Sequence, residues 1–275
     1  MTPKTLSAEL KAAMKQLRLG RLIPTLADRI ALAEKDDLPI EDFLLMVFVD
    51  EVNRRQSESA SRRADNAGLD PEMTFERWDK TAKVKYDKRT LSHLASLGFV
   101  DALQNVIILG PVGVGKTFVA HALGHVACRA GYSVGCYRAD GLLRILKNSR
   151  LDNSRDALLV GLTTLDVLIL DDFVLEPMSR DESRDMYQLF VERTGKASTI
   201  ITSNRDTSDW LAFFDENILA QSAIDRFRNN AYDLIIEGES YRPRLKPNID
   251  QAGPPPAAPV TKRLTRRRVP KHRRH

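Results

Sequence analysis

The stretch LGPVGVGKT, Leu109 to Thr117, constrains this chain more than any other. Its spacing is Gly110-x4-Gly115-Lys116-Thr117. In that pattern backbone N–H groups wrap phosphates, a lysine offsets their charge and a hydroxyl holds Mg²⁺. Gly110, Gly113 and Gly115 permit the backbone conformations and close approach that a phosphate nest requires. Lys116 and Thr117 open a helix whose positive end faces the anion. The apolar run NVIIL precedes the loop and TFVAHALGHVACRAG follows it, so a buried parallel strand runs into an apolar helix, the setting the motif needs. The expected nucleotide contacts are Gly110, Pro111, Val112, Gly113, Val114, Gly115, Lys116, Thr117 and Phe118.

At 275 residues the chain has room for one large domain and a smaller one. It has no run of about 18 apolar residues that would span a membrane, and MTPKTLSAELKAAMKQLRLG lacks an apolar signal core. A cytoplasmic protein with no membrane partner is expected. Cys128 and Cys136, the only cysteines, are too few for a disulfide framework. The net charge of +5 is unevenly placed. From Arg244 onward ten Lys or Arg stand against Asp250 alone, so the body before it is net negative. A basic tail argues for polyanion contact more weakly than a basic groove.

The pattern from Leu6 to Gly68 is helical, with an apolar stripe at Phe43, Met46, Val47 and Val49 on a helix begun by Pro39. On its later turns Arg55, Glu58, Arg62 and Arg63 fall near one face. DNA contact and a plain solvated face are both open readings of it. Phe75 and Trp78 follow; they either wall an adenine pocket or belong to the core. Beyond the P-loop, strands SVGCYRA, VLILDD, STIITSN and AYDLIIE alternate with helices. Two of those helices break near Asp152-Asn153, and Arg144, Lys147, Arg150 and Arg155 line them. The expected fold is α/β, a P-loop NTPase with a parallel sheet flanked by helices. The expected domains are a helical region 1–70, a connector 71–100, an ATPase domain 101–245, and a disordered Pro-rich, basic tail 246–275.

Three further segments give the loop a chemistry. LDVLILDDF ends a strand in Asp171 and Asp172, and in such a sheet that strand end lies beside the P-loop. Asp171 is placed to share Mg²⁺ with Thr117, and Asp172 to orient or deprotonate an attacking water. An Asp there, one methylene shorter than the usual Glu, predicts slow basal hydrolysis. TIITSN ends in Asn204, whose amide could touch the γ-phosphate or the water. AIDRF carries Arg226, a candidate arginine finger toward the nucleotide of a neighbouring subunit, with Arg228 as the alternative. His121 and His125 have the i, i+4 spacing of a zinc pair, but no Glu follows His121 and no third ligand is evident.

Together with Trp210 and GESYR, Gly238 to Arg242, these segments resemble in order and separation the IstB-type helper ATPases of insertion sequences. That family stands with the DnaC-like helicase loaders in the initiator branch of AAA+ ATPases. The resemblance runs from about Leu10 to Arg242 and implies an AAA+ fold without a separate helical lid. It also implies ATP and Mg²⁺ as cofactors, a homo-oligomer on duplex DNA, and a cognate transposase as partner. It puts Arg144, Lys147, Arg150 and Arg155 in a helical insertion that contacts DNA phosphates. A helicase-loading adaptor shares the ATPase half and remains the alternative; a small-molecule kinase leaves Asn204 and Arg226 unexplained. The basic tail departs from the family pattern.

Overall fold

Apolar runs of five or six residues, each followed by a helix-period segment, drive a parallel sheet covered on both faces. The computed structural model describes residues 6–215 and 217–245, so the tail expected at 246–275 lies outside the described residues. The chain begins with helices α1 (Ala8–Gln16), α2 (Ile23–Lys35) and α3 (Ile40–Asn66). A two-residue strand β1 (Val84–Lys85) and helices α4 (Lys88–Ala95) and α5 (Gly98–Asp101) lead to β2 (Asn105–Leu109) and α6 (Lys116–Ala130). Then come β3 (Val134–Arg138), α7 (Ala139–Ser149), α8 (Arg155–Thr164), β4 (Val167–Asp171), α9 (Arg180–Arg193) and β5 (Ser198–Ser203). The helix α10 (Asn217–Asn229), β6 (Ala231–Ile235) and β7 (Glu237–Gly238) follow. The described residues through Tyr241 form one compact unit, and the turn Arg242–Leu245 belongs to a second. No helix among the described residues is long and apolar enough to cross a membrane.

Five strands form one sheet in the order β3-β4-β5-β2-β6, every neighbouring pair parallel. Every residue of β2, β4 and β5 is buried, which explains why β2 and β4 run apolar without alternation, while β5 buries four hydroxyl residues around Ile200 and Ile201. One face of the sheet buries residues of α7, α8, α9 and α10, including Leu142, Leu146, Phe190 and Phe227. The other buries α6 and the end of α3 through Leu123, Ala127, Ala64 and Leu69. Asn153, in a left-handed conformation with φ of 59°, makes the break between α7 and α8.

The N-terminal helices pack by Met14, Leu22, Leu26 and Val47, with Phe43 half-buried beside them. Val49, expected on the same stripe, is 44% exposed on the far side of α3. Two of the arginines read as DNA contacts are occupied within the fold. Arg63 donates Nε and Nη2 to the Cys128 carbonyl at 2.9 and 2.7 Å, fastening α3 to the C-terminal turn of α6. Arg55 donates to Glu51 and to the Arg18 carbonyl. Arg62 is exposed. The Glu51 carboxyl, buried on α3, is held down to about 2 by the Arg54 guanidinium and then by Arg55, against the cost of burial.

Arg193, 2% exposed, fixes the strand spacing from the inside. It donates to the carbonyls of Leu162, Leu165 and Ser198 and to Thr199 Oγ1, joining α8, the entry to β4 and the start of β5. Arg193→Met keeps the volume but strands several buried acceptors, each worth about 1–3 kcal/mol. The expected outcome is a loss of about 3–5 kcal/mol, read as a lower urea midpoint at unchanged slope.

Candidate nucleotide-binding site

The parallel register brings three strand ends to one level. Leu109 pairs with Ser203 and Leu170 with Ile201, so the residues that follow, Gly110, Asn204 and the Asp171-Asp172 pair, meet along one edge. Two glycines show what the loop demands. Gly110, at φ of 153°, faces the Ile236 carbonyl, and a Cβ on it would lie 2.1 Å from that oxygen. Gly113, at φ of 86°, leaves the same 2.1 Å between an added Cβ and Ser240 Oγ. Neither position admits a side chain without moving backbone or neighbour.

Lys116 is 5% exposed, and its Nζ donates to the Pro111 carbonyl at 2.8 Å and to Asn204 Oδ1 at 2.5 Å. The loop lysine and the strand-end amide are therefore in direct contact. Thr117 Oγ1 donates to Asp171 Oδ1 and Oδ2 at 2.9 and 3.1 Å. Two oxygens each about 2.1 Å from one octahedral Mg²⁺, at right angles, stand about 3 Å apart. The Thr117–Asp171 pair has that separation, so the donor set fits the ion. Val114, 1% exposed, turns its side chain into the apolar core, so only its backbone faces the loop interior. Val112 is exposed, and Phe118 packs edge-on to Trp78 with centroids 5.1 Å apart.

A residue that motif reading passed over organises both aspartates. Thr202, fully buried on β5, donates Oγ1 to Asp171 Oδ1 at 2.6 Å and accepts the Asp172 N–H at 2.9 Å. Asp172 itself sits at φ of 54°, which aims its half-buried side chain away from the strand line. It opens on a cleft of about 340 Å³ shared with Arg138, Asp140 and Arg144. The only sequence signal for Thr202 was its place two residues before Asn204.

The segment Gly238 to Tyr241 crosses the P-loop. β7 pairs antiparallel with β1, and the Tyr241 N–H donates to the Gly113 carbonyl at 2.8 Å. Trp78 lies against Gly115 and makes a second edge contact with Tyr86. Both Phe75 and Trp78 pack on the core, and Trp78 also reaches the loop. His121 and His125 bind the chain just past α3: His121 Nδ1 accepts from the Asp70 N–H, and His125 Nε2 donates to the Asp70 carbonyl. Burial lowers the His121 pKa, so the neutral ring that this acceptance needs is favoured.

The remaining cationic residues separate into two groups. Arg150 and Arg155 both bind Asp185, which is 1% exposed, at 2.7 and 2.6 Å. Their forks hold α7 and α8 onto α9, a burden that a DNA contact at the same atoms would have to displace. Arg144 and Lys147 are exposed on α7. Arg226 is exposed on α10 and has no ion pair with a described residue; Arg228 faces Asp206 and Asp233.

Sheet order, loop and strand-end carboxylates together define a P-loop NTPase fold of the AAA+ type. Solved structures agree on the fold. The DnaI crystal structure matches with a TM-score of 0.53 at 22% identity, over 61% of this chain and 94% of that one. The replication initiator DnaA bound to AMPPCP and single-stranded DNA matches with a TM-score of 0.51 at 18% identity, over 62% of this chain and 51% of its own. The family model for IstB-like ATP binding proteins matches residues 12–248, and the chain belongs to that family. An insertion-sequence ATP-binding protein of Mycobacterium tuberculosis is 37% identical over 86% of this chain and 95% of its own length. The insertion sequence IS21 ATP-binding protein of Pseudomonas aeruginosa is 35% identical over 86% of this chain and 90% of its own.

Thr202→Val removes the hydroxyl that holds both aspartates while keeping the side-chain shape. The expected outcome is Mg²⁺ dependence of nucleotide binding shifted about 10–100-fold to higher Mg²⁺, with affinity in EDTA unchanged. A fluorescent ATP analogue titrated at several Mg²⁺ concentrations checks it.

Proposed function

We propose that this protein is an ATPase that assembles on duplex DNA and assists the transposase of an insertion sequence. The observation that carries the reading is the contact set at the strand ends: Lys116 on Asn204, Thr117 on Asp171, and Thr202 on both aspartates. It supports ATP as the ligand, with phosphates in the loop 110–117. Thr117 and Asp171 would hold Mg²⁺, which would supply charge neutralisation on the phosphates. Asp172 is the candidate to orient or deprotonate the attacking water, and Asn204, hydrogen-bonded to Lys116, is the candidate amide for the terminal phosphate or the water. A carboxylate one methylene short of the usual Glu keeps basal turnover slow.

Exposed Arg226 supports a finger supplied to a neighbour, so that ATP both joins copies and is hydrolysed only where they meet. Arg144 and Lys147, exposed on α7, are the favoured phosphate contacts, with Arg62 a third; Arg150, Arg155, Arg55 and Arg63 act behind them by holding the helices in place. The names of the relatives support an insertion sequence as the setting, and that setting makes its transposase the natural partner. Cytoplasmic location is in keeping with that role. A helicase-loading adaptor, which would share the ATPase half, is the second reading.

Sedimentation velocity with duplex DNA tests the assembly. Large DNA-bound species are expected with ATP, absent without nucleotide and absent for Arg226→Ala. A monomer that ignores DNA in every condition would sink the reading. Changing Arg144 and Lys147 together to Ala is expected to weaken DNA binding uniformly across sequences and to reduce the log–log salt slope by about 2; an unchanged slope places the DNA elsewhere.

A further inference from the structure

Where β4 ends, the backbone takes up two left-handed residues within three. Asp172 and Val174 both sit at φ of 54°, with Phe173 between them. For a valine, branched at Cβ and here 4% exposed, that region is costly. A costly conformation persists only where its surroundings hold it, and such positions gather where a side chain has to be aimed.

The holding groups come from the end of β5 and the residues just after it. The Asp172 N–H donates to Thr202 Oγ1 at 2.9 Å and the Phe173 N–H to the Thr202 carbonyl at 2.8 Å. Ser203 Oγ donates to the Phe173 carbonyl at 3.1 Å, and the Phe173 ring is enclosed by Phe190, Trp210 and Phe214. The second left-handed residue has a different holder. Arg205 Nε donates to the Val174 carbonyl at 3.2 Å. The same guanidinium lies over the Phe213 ring, 4.4 Å from its centroid, and the Phe213 carbonyl accepts the Met178 N–H at 2.8 Å. The Arg205 backbone is fixed as well, its N–H donating to Ser203 Oγ at 3.1 Å and its carbonyl accepting from Trp210 Nε1 at 3.4 Å. Arg205 is an exposed residue, yet its contacts are those of a bracket between two loops.

We propose that Arg205 is a positioning residue for Asp172. By holding the Val174 carbonyl it keeps the second left-handed residue in place, and the loop so fixed determines where the Asp172 carboxylate points. Without that donor Val174 returns toward the extended backbone that a β-branched residue favours, and Asp172 turns with it. Arg205 directly follows Asn204, so the amide that meets Lys116 and the bracket on Val174 are one peptide unit apart. The importance of this for turnover rests on the reading of Asp172 as the group that handles the attacking water; the bracket itself does not.

Amide hydrogen exchange reads the bracket without turnover. In Arg205→Met, which keeps the stem and removes the donor, peptides spanning residues 172–178 are expected to exchange about 10-fold faster, with the thermal melt and the exchange of β2 retained. Arg205→Lys, which keeps a donor, is expected to restore most of that protection. Steady-state ATP hydrolysis with duplex DNA and Mg²⁺ reads the consequence. Arg205→Met is expected to lower kcat about 10-fold at unchanged KM, and Arg205→Lys to recover most of the loss. Unchanged exchange in Arg205→Met overturns the proposal whatever the rates do, and so does faster exchange with kcat unaltered. If the unsubstituted chain hydrolyses no ATP, the ATPase reading fails by itself, and the exchange result alone upholds or overturns the bracket.

Discussion

Everything at the nucleotide site depends on the parallel ladder that sets β4, β5 and β2 side by side with their carboxyl ends level. A slip of one residue in β5 would turn Thr202 away from Asp171 and carry Asn204 off Lys116. Such a slip is opposed by complete burial of all three strands, by Asn105, which accepts the Thr199 N–H across the sheet, and by Arg193 gripping the carbonyls around β5. The chemistry is thus set by backbone register first and by side-chain identity second.

The polar side chains at those strand ends are paired with one another. Lys116, Asn204, Thr117, Asp171 and Thr202 satisfy one another inside an environment that would penalise any of them left alone. The neighbouring arginines show the same economy. Arg150 and Arg155 neutralise one buried aspartate between them and so stiffen the paired helices that present Arg144 and Lys147 outward.

The sheet, the loop and the Asp pair could be read from the sequence because each is written in consecutive residues: apolar runs of strand length, a spaced glycine motif, a strand that stops in carboxylates. The break at Asn153 was readable for the same reason. Roles set by contacts between distant segments were not. Arg63, Arg150 and Arg155 look like any exposed basic residue in a helical repeat, and only the approach of Cys128 and Asp185 from far along the chain gives them their partners. Thr202 reads as one more β-branched strand residue until the register places it beside Asp171. The stripe on α3 misled in the opposite way, because a helix apolar on two sides gives no sign in one dimension of which side its neighbours take.

The clasp between Tyr241 and Gly113 has a consequence for how the molecule is made. The loop that holds phosphate is synthesised well before the midpoint of the chain, yet the segment that crosses it arrives more than a hundred residues later. During translation the P-loop, α6 and β3 leave the ribosome with that edge open, and β2 lacks both of its sheet neighbours until β5 and β6 emerge. The cradle around the loop is therefore a property of the finished body, and a nascent chain lacks it until the segment Gly238 to Tyr241 has emerged.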